Sequence, residues 1–485
     1  MADVEQAVVE VEDSVAQEQE QYSTPLQADY IPRSKGMVIG TLAPAGIAAG
    51  MRLSLDRVEQ VTELDVDTYV AAKLGCTQQT LFDRYAAEQI DTLAITFLDQ
   101  ELGLQSTITH DTGIGKGRIV AALVQAAIAP VEMPDLVGKT PEQQQEILKG
   151  LAEGMGFASA QNRIAVFVTA KPDLYVDMLA RDMVDTGVAE YVRPFYTNSD
   201  LDITMRSPDG SVTGYVRTPK PNPQNREMVS LMDQYKQTGT LGKYNVVFTT
   251  YDQIKDKGSI RRQFLEAIAP GATFLLDECD LAGGASGEPP KLTKEQRGKR
   301  AKGEDIRSIS EYVCQSLLPQ SKAYINLSAT AAKDPYVLNR LIYSRSDVKE
   351  IGLHPEQLAK KLAEQGVPAQ QDFANRLALN GELMRLEKNM AGVERNFIDW
   401  MIFGVPAALA LLPVGWYILI KLFPPEMAEL TKLPMAQSAE TRKPMSRGEW
   451  TTTAVFFLTV TLWVAAPAIK SATGLSLSME YVIFA

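Results

Sequence analysis

The stretch Thr112-Gly113-Ile114-Gly115-Lys116-Gly117-Arg118 decides how this chain is interpreted. A helix-like apolar run, 119–124, follows it directly. The small residues let the backbone turn tightly, so several N–H groups can point inward at a phosphate. The N-terminus of the following helix adds a favourable dipole, and Lys116 adds a mobile positive charge. The stretch therefore predicts a cradle for the phosphates of a nucleoside triphosphate.

The match to the strict phosphate-loop pattern G-x-x-x-x-G-K-[ST] is imperfect. His110 stands where the first glycine is expected, and Gly117 stands where the strict pattern has a hydroxyl that binds Mg²⁺. An ordinary glycine-rich turn is the alternative interpretation. The motif alone does not separate the two, so the rest of the chain has to.

Length and composition limit the number of domains and the classes of function that the chain can have. The chain has 485 residues, enough for two or three domains, and a net charge of −12, which argues against nonspecific nucleic-acid binding driven by bulk charge. Three cysteines form no disulfide framework and no C-x-x-C pair, and two histidines argue against a His-based metal site. The sparse thiols point to a protein of the reducing cytosol.

The first 24 residues hold seven acidic residues and no basic ones. They contain too few large apolar groups to offset chain entropy, so we expect a disordered acidic tail. A short helix over residues 4–15 is the alternative. The absence of a basic, apolar leader argues against a secretory signal and predicts that the following domain is cytoplasmic.

Four apolar, β-branched runs predict buried strands, and helix-like segments separate them. This alternation predicts an α/β fold with a doubly wound parallel sheet. In such sheets the chemistry lies beyond the carboxyl ends of the strands, where the glycine-rich stretch and several polar residues are also predicted to fall. The runs are 163–169, 243–251, 272–278 and 324–330.

Two carboxylates end the third run. Asp277 suits Mg²⁺ coordination, often through water, and Glu278 could orient or deprotonate an attacking water. With Lys116 on the β- and γ-phosphates, the pair predicts a site of nucleotide hydrolysis. The alternative is an ordinary loop start or helix cap.

A helical pattern from Tyr85 to Phe97 carries Gln89, 27 residues before Lys116. A side-chain amide can pair with both the donor and the acceptor edge of adenine. Gln89 is therefore a candidate for base selection, and a solvated glutamine on a helix is the alternative.

Taken in order, these motifs resemble superfamily 2 helicases, and more closely the strawberry notch-like ATPase domain of phage and plasmid helicase/methylase proteins linked to antirestriction. The resemblance covers about residues 28–394, and Gly-Lys-Gly-Arg in place of Gly-Lys-Thr is typical of that family. It is carried by Tyr30-Ile31-Pro32-Arg33-Ser34, Glu88-Gln89-Ile90-Asp91, Thr112–Arg118, Asp173-Leu174-Tyr175-Val176-Asp177, Phe248-Thr249-Thr250-Tyr251, Asp277-Glu278 and Ser328-Ala329-Thr330.

The resemblance implies a P-loop NTPase-like (RecA-like) sheet that binds ATP and Mg²⁺ and acts on DNA. It implies Gln89 for adenine, Asp277 and Glu278 for Mg²⁺ and water, and the following residues around the phosphates: Thr112, Gly113, Gly115, Lys116, Gly117 and Arg118. It also implies a nucleic-acid path and its coupling to the nucleotide site, through Thr250, Tyr251, Ser328 and Thr330.

There are departures from the family pattern. His110 replaces the first glycine, and Asp280 stands where the family usually has a histidine. No second helicase lobe and no methyltransferase motif are recognised, so a second lobe or a methyltransferase would be a partner. A single lobe is expected to bind ATP and hydrolyse it poorly, because an arginine finger contributes roughly 10³–10⁵ in rate. We expect residues 25–334 to form this lobe and residues 335–394 to close it with helices.

The C-terminal tail, residues 395–485, differs in composition from the rest of the chain because it contains long uncharged runs. Met401–Ile420 and Thr451–Ile469 are uncharged apolar runs that predict two transmembrane helices within 395–485, a hydrophobic hairpin that would attach the protein to a membrane. Two buried core helices are the alternative. The tail resembles a fragment of divalent anion:sodium symporters, too short for transport, and predicts a fusion near residues 394–395. The carrying residues are Phe397-Ile398-Asp399-Trp400, Gly404-Val405-Pro406, Trp416, Pro424-Pro425 and Ser446-Arg447-Gly448-Glu449.

The leading expectation is an ATP-binding first lobe of a strawberry notch-like DNA helicase fused to a membrane hairpin. A non-catalytic nucleotide-binding interaction module, and a membrane protein with a degenerate soluble domain, are the rival interpretations.

Overall fold

A computed structural model of the protein describes residues 27–154, 163–207, 209–254, 258–283, 312–329 and 355–389. All of them belong to one compact unit that ends at Asn389. The predicted acidic tail, Thr330 and the two apolar runs of 395–485 lie outside the described residues. Within the described ranges, no helix has both the length and the apolar character needed to cross a bilayer.

The described chain alternates strands and helices. The strands are β1 Gln27–Asp29, β2 Thr41–Pro44, β3 Ser106–Ile108, β4 Ile164–Thr169, β5 Pro194–Tyr196, β6 Asp202–Arg206, β7 Val212–Arg217, β8 Val246–Thr250, β9 Ala272–Asp277, β10 Ala323–Leu327, β11 Leu383–Met384 and β12 Glu387–Lys388. The helices are α1 Ala45–Thr62, α2 Val66–Leu74, α3 Gln78–Arg84, α4 Ala87–Glu101, α5 Lys116–Ile128, α6 Pro141–Gly154, α7 Pro172–Ala180, α8 Asp182–Asp185, α9 Pro221–Thr238, α10 Tyr251–Ile254, α11 Ile260–Ile268, α12 Asp280–Gly283, α13 Pro355–Gln365 and α14 Val367–Leu379. Short 3₁₀ turns at Val188–Glu190, Ala269–Gly271 and Leu318–Gln320 and a π turn at Val313–Leu317 complete them.

Seven strands form one parallel sheet in the order β11-β3-β10-β9-β4-β8-β5. The predicted α/β class with a parallel sheet is therefore confirmed. The chain enters the sheet at β3, crosses to β4 and the edge strand β5, and then returns through β8, β9 and β10 to the opposite edge strand, β11. Parallel neighbours of this kind require crossover connections, which carry the helices. The remaining strands form two smaller sheets, β1-β2-β12 and β6-β7.

Both faces of the sheet are covered, as strand β4 shows. All six of its residues are buried. Ala165 and Phe167 pack in one apolar cluster, whereas Ile164, Val166 and Val168 pack in a second one. Because successive side chains of a strand point to opposite faces, the two clusters are the two sides of the sheet. This explains why the predicted strands read as continuous apolar runs without alternation.

The segment 355–389 departs from the predicted helical closure. It contains α13 and α14, but it also returns to the sheet. Strand β11 pairs parallel with β3, with Leu383 opposite Thr107, and β12 pairs antiparallel with β2. Two-residue strands carry no periodic pattern, so tertiary pairing alone defines them. Residues at the far end of the segment thereby reach the beginning of the glycine-rich loop.

The lead-in before β2 is extended and strapped onto helix α4. The Glu88 carboxylate accepts hydrogen bonds from the backbone N–H groups of Ile39 and Gly40 at 2.8–3.0 Å. Asp91 accepts from the backbone of Arg33 and Ser34. Both carboxylates are fully buried, and these bonds supply the partners that buried charges require.

Candidate functional site

The carboxyl ends of five sheet strands bring the predicted residues to one edge. Strands β3, β4, β8, β9 and β10 are parallel and adjacent or nearly so, and polar residues follow or end each of them. Thr169 at the end of β4 donates from Oγ1 to Asp277 Oδ2 at the end of β9, at 3.1 Å. Ser328 after β10 donates its backbone N–H to Ile108 O of β3 at 3.0 Å. These cross-strand bonds fix the spacing of the groups at this edge.

The glycine-rich loop leads directly into helix α5. Gly113 and Gly115 adopt φ of 95° and 87°, a left-handed region that a side chain would strain. Gly115 is the N-cap, no side chain caps the helix, and its first turn holds no acidic residue. A helix N-terminus of this kind presents partial positive charge to an anion. The loop therefore ends at a helix N-terminus that could meet an anion, and its binding of phosphate stays a prediction.

Lys116 is the first residue of α5, and its ammonium donates to the carbonyl of His110 across the loop. Partial burial lowers the pKa of Lys116, and the carboxylates of Glu278, Asp277 and Asp111 raise it in opposition. The ammonium thus lies within electrostatic reach of the acidic pair at the end of β9. A phosphate placed between them would replace the carbonyl as the partner of the ammonium.

His110 has a structural reason to replace glycine. Its side chain is fully buried; Nδ1 accepts from the Leu386 backbone N–H at 3.1 Å, and Nε2 lies 2.9 Å from Thr92 Oγ1. Burial, and to a lesser extent Lys116, lowers the pKa of His110 to about 3, so the ring is neutral. The neutral ring with its proton on Nε2 satisfies both contacts. His110 therefore fastens the start of the loop to α4 and to the segment after β11.

Gln89 is engaged with the loop. Its side chain is buried, its Nε2 donates to Ile114 O at 2.8 Å, and its Oε1 accepts from the Ala86 N–H at 3.1 Å. The Oε1 atom thus caps α4 and the Nε2 atom holds the loop, and these are the same two atoms that would pair with adenine. Its assignment to adenine stays a prediction, and pairing with a base would require one of these contacts to be given up.

Gly117 and Arg118 face helix α8 and its end. A Cβ added at Gly117 would lie 2.0 Å from Asp182 Oδ2, so only glycine leaves room for this buried carboxylate. Arg118 donates to Arg84 O at 3.1 Å and pairs with Asp185 at 3.2 Å. The guanidinium is therefore held on the flank of α5 by partners other than the loop, and its predicted contact with phosphate stays a prediction.

Asp277 and Glu278 form the acidic pair of the site. Burial and then the Glu278 charge raise the pKa of Asp277, while the Thr169 hydroxyl and Lys116 oppose this. Glu278 adopts φ of 51°, a left-handed conformation that is strained for a residue with a Cβ and is found often at functional sites. No cluster of three metal-ligating side chains exists in the described ranges. One or two carboxylates with water and phosphate oxygens are what Mg²⁺ commonly takes, so the pair fits this ion.

The residues predicted for the nucleic-acid path and for coupling are buried. Thr250 is 2% exposed and accepts from Asn198, and Tyr251 is 6% exposed and donates from its hydroxyl to Asp277 O at 2.9 Å. Ser328 donates to Asp280 Oδ1 at 3.1 Å. Asp280 therefore connects the end of β9 to the end of β10. Thr112 is exposed on the loop, and Thr330 lies outside the described residues.

Sequence reasoning missed three residues at this edge. Thr169 ends a strand that was predicted, and a hydroxyl at a strand end was the available signal. Asp182 occupies the space that a side chain at position 117 would fill. Lys388 lies 275 positions after Gly113 in the sequence, yet its ammonium lies beside Gly113 in the structure. No pattern in the sequence connects Asp182 or Lys388 with the loop, because the contacts depend on tertiary packing.

Comparisons with known proteins give two kinds of similarity. Residues 372–484 match the family model described as the sodium:sulfate symporter transmembrane region, a minor part of the chain. The comparison with curated proteins gave no match. The first 18 residues of the matched range, 372–389, form part of α14 together with β11 and β12, so they belong to the α/β unit.

Two solved structures of the Sulfolobus solfataricus SWI2/SNF2 ATPase core are similar to the chain. The one in complex with dsDNA shares 13% identity at a TM-score of 0.34, covering 63% of this chain and 44% of that chain. The core domain alone shares 11% identity at a TM-score of 0.30, covering 61% and 42%. The chain thus spans less than half of either structure, and the scores are too low to define function.

Proposed function

We propose that the α/β unit binds Mg-ATP at the glycine-rich loop and is the first lobe of a strawberry notch-like superfamily 2 DNA helicase. One observation carries the proposal: Lys116, at the uncapped N-terminus of α5, lies within electrostatic reach of Asp277 and Glu278 at the same edge of the parallel sheet. An ordinary glycine-rich turn does not require an acidic pair opposite its lysine.

Each group has a defined task in this proposal. The N–H groups of the loop and of the first turn of α5 bind phosphate oxygens, and Lys116 exchanges the His110 carbonyl for the β- and γ-phosphates. Mg²⁺ held at Asp277 through water would neutralise phosphate charge. Glu278 orients the attacking water and accepts its proton. The Thr169 hydroxyl fixes the rotamer of Asp277.

The wider assembly follows from the same proposal. DNA is the expected partner, and a second helicase lobe or a methyltransferase would be supplied by another chain or segment. Residues 395–485 would anchor the protein to a membrane with the ATPase unit on the cytoplasmic side. An arginine from a second lobe would raise turnover by roughly 10³–10⁵.

Mg-ATP binding to the purified full-length protein tests the proposal. We expect Lys116→Ala to weaken the binding at least about tenfold, because a charge-assisted contact contributes about 1.5–3 kcal/mol. Lys149→Ala is the matched control, since Lys149 is an exposed lysine on α6. Equal ATP affinity in the wild type and Lys116→Ala, or no binding by the folded wild type, would contradict the proposal.

A second candidate is a nucleotide-binding interaction module without turnover. The burial of Thr250 and Tyr251 favours it, because neither side chain is presented to a nucleic acid in this conformation. The two candidates differ in their response to DNA. ATP turnover that rises on adding DNA supports the helicase lobe, whereas tight ATP binding with no turnover in either condition supports the module.

A further inference from the structure

Lys388 is a cation at the loop that the proposed chemistry does not use. Its ammonium nitrogen lies 3.9 Å from the point that a Cβ on Gly113 would occupy. Gly113 and Lys388 are both exposed, so this side of the loop is open to solvent. In the part of the chain that the structure describes, the ammonium of Lys388 has no hydrogen-bond or ion-pair partner.

The backbone around Lys388 is fixed to the loop. Three N–H groups of the β3 end, at Thr107, Thr109 and Asp111, donate to carbonyls of residues 382, 384 and 386 at 2.7–2.9 Å. The Lys388 N–H donates to Asp111 Oδ2 at 3.3 Å. Strand β12 also pairs with β2, with Lys388 opposite Thr41. The segment thus follows the start of the loop residue by residue, and the position of Lys388 is set by backbone pairing.

The charge balance of the site makes a second cation useful. Asp111, Asp277 and Glu278 all act on the Lys116 ammonium, so the edge holds three carboxylates near one lysine. A nucleoside triphosphate adds about four more negative charges, and an ammonium near phosphate oxygens offsets part of that repulsion. Lys116 approaches from the helix end of the loop, whereas Lys388 approaches from its Gly113 side.

We propose that Lys388 is a second cationic contact to the phosphate chain of the bound nucleotide. The inference rests on the proposed function, because it assumes that the loop binds a nucleotide. An exposed lysine has a flexible stem and three donors, so it can turn toward a phosphate without moving the backbone. Lys388 thereby favours nucleotides in proportion to the number of phosphates they carry.

Affinities of the full-length protein for ATP, ADP and AMP test this inference. We expect Lys388→Ala to weaken ATP binding about tenfold, ADP binding less, and AMP binding by no more than about twofold, since each added phosphate adds charge near the ammonium. Lys388→Arg should retain most of the affinity because it keeps the charge. Added salt should reduce the difference between wild type and Lys388→Ala.

The controls separate this inference from the proposed function. Lys149→Ala should bind all three nucleotides like the wild type, and thermal unfolding of Lys388→Ala should match the wild type because the side chain is exposed. Unchanged ATP affinity in Lys388→Ala overturns the inference, and so does an equal loss for ATP, ADP and AMP, which would indicate a structural effect on the loop. If the wild type binds no nucleotide at all, the proposed function fails first, and the inference fails with it.

Discussion

The contact between Gly117 and Asp182 allows a quantitative test of why this loop lacks the usual hydroxyl. An added Cβ at Gly117 would meet Asp182 Oδ2 at 2.0 Å and Cγ at 2.5 Å, far inside normal contact distance. Asp182 is 7% exposed and hydrogen-bonded to Arg181, so it has little room to withdraw. Overpacking of this kind costs about 1–3 kcal/mol, whereas alanine at a helical glycine contributes about 1 kcal/mol. Gly117→Ala should therefore destabilise the protein by up to about 2 kcal/mol.

A double-mutant cycle isolates the clash. In an Asp182→Ala background the obstruction is gone, and Gly117→Ala should be neutral or stabilising by up to about 1 kcal/mol, giving a coupling energy of about 1–3 kcal/mol. Gly150→Ala on α6 is the control, because an added Cβ there meets nothing within 4 Å; it should stabilise in both backgrounds. Urea unfolding followed by far-ultraviolet circular dichroism is the suitable assay. All four tryptophans lie beyond residue 399, so their fluorescence would not report on the α/β unit.

The result that refutes the reasoning is a coupling energy of zero. Gly117→Ala would then have the same effect with and without the Asp182 carboxylate, and the glycine would need another explanation. The same clash predicts that Gly117→Thr, which restores the hydroxyl position of the strict pattern, destabilises the loop and does not improve Mg-ATP binding. The departure from the strict pattern is thus a consequence of what packs against the loop.

Two further predictions concern His110 and Glu278. The pKa of His110 is lowered to about 3, against about 6.5 in an unfolded chain. Its contribution to the free energy of unfolding is therefore complete above pH ~6.5 and is lost as pH falls toward 3, by about 1.4 kcal/mol per pH unit. In His110→Gln, urea unfolding between pH 6.5 and 4 should show a shallower pH dependence than in the wild type, and an unchanged pH dependence would contradict the buried neutral ring. Glu278→Gly should raise the free energy of unfolding by about 1 kcal/mol, because it relieves the left-handed φ of 51°, and should abolish any ATP turnover; a less stable variant would refute the strain argument.

Four strands, β4, β8, β9 and β10, could be predicted from local sequence because burial on both faces of the sheet leaves a continuous apolar run. Strand β4 is an example, since its six residues are all buried and mostly β-branched or aromatic. Strand β3 was not predicted, although it is the one that delivers the loop. Its three residues, Ser106-Thr107-Ile108, are two-thirds polar, and their burial depends on pairing with β10 and β11. Short strands of this kind are defined by their neighbours.

At the candidate site, some residues could be recognised from the sequence, whereas the contacts that hold them could not. The residue types that could meet a phosphate and Mg²⁺, Lys116 with Asp277 and Glu278, were recognisable because each lies beside a strand or helix end. The contacts that hold them were not, because His110, Asp182 and Lys388 act across long separations in the chain. His110 appeared in the sequence only as a defect in a motif. In the fold its ring joins the loop to α4 and to Leu386, and a comparison of motifs does not show these two contacts.

The segment that follows α14 belongs both to the α/β unit and to the range matched by the symporter family model. The match to the symporter family begins at residue 372, inside α14, whereas the α/β unit continues to Asn389. Residues 382–388 supply carbonyl partners to β3, the N–H that His110 accepts, and the ammonium beside Gly113. The beginning of the family match is therefore not the boundary of the α/β unit. If the loop binds ATP as proposed, the segment 382–388 completes its cradle from within the range that the symporter family model also matches.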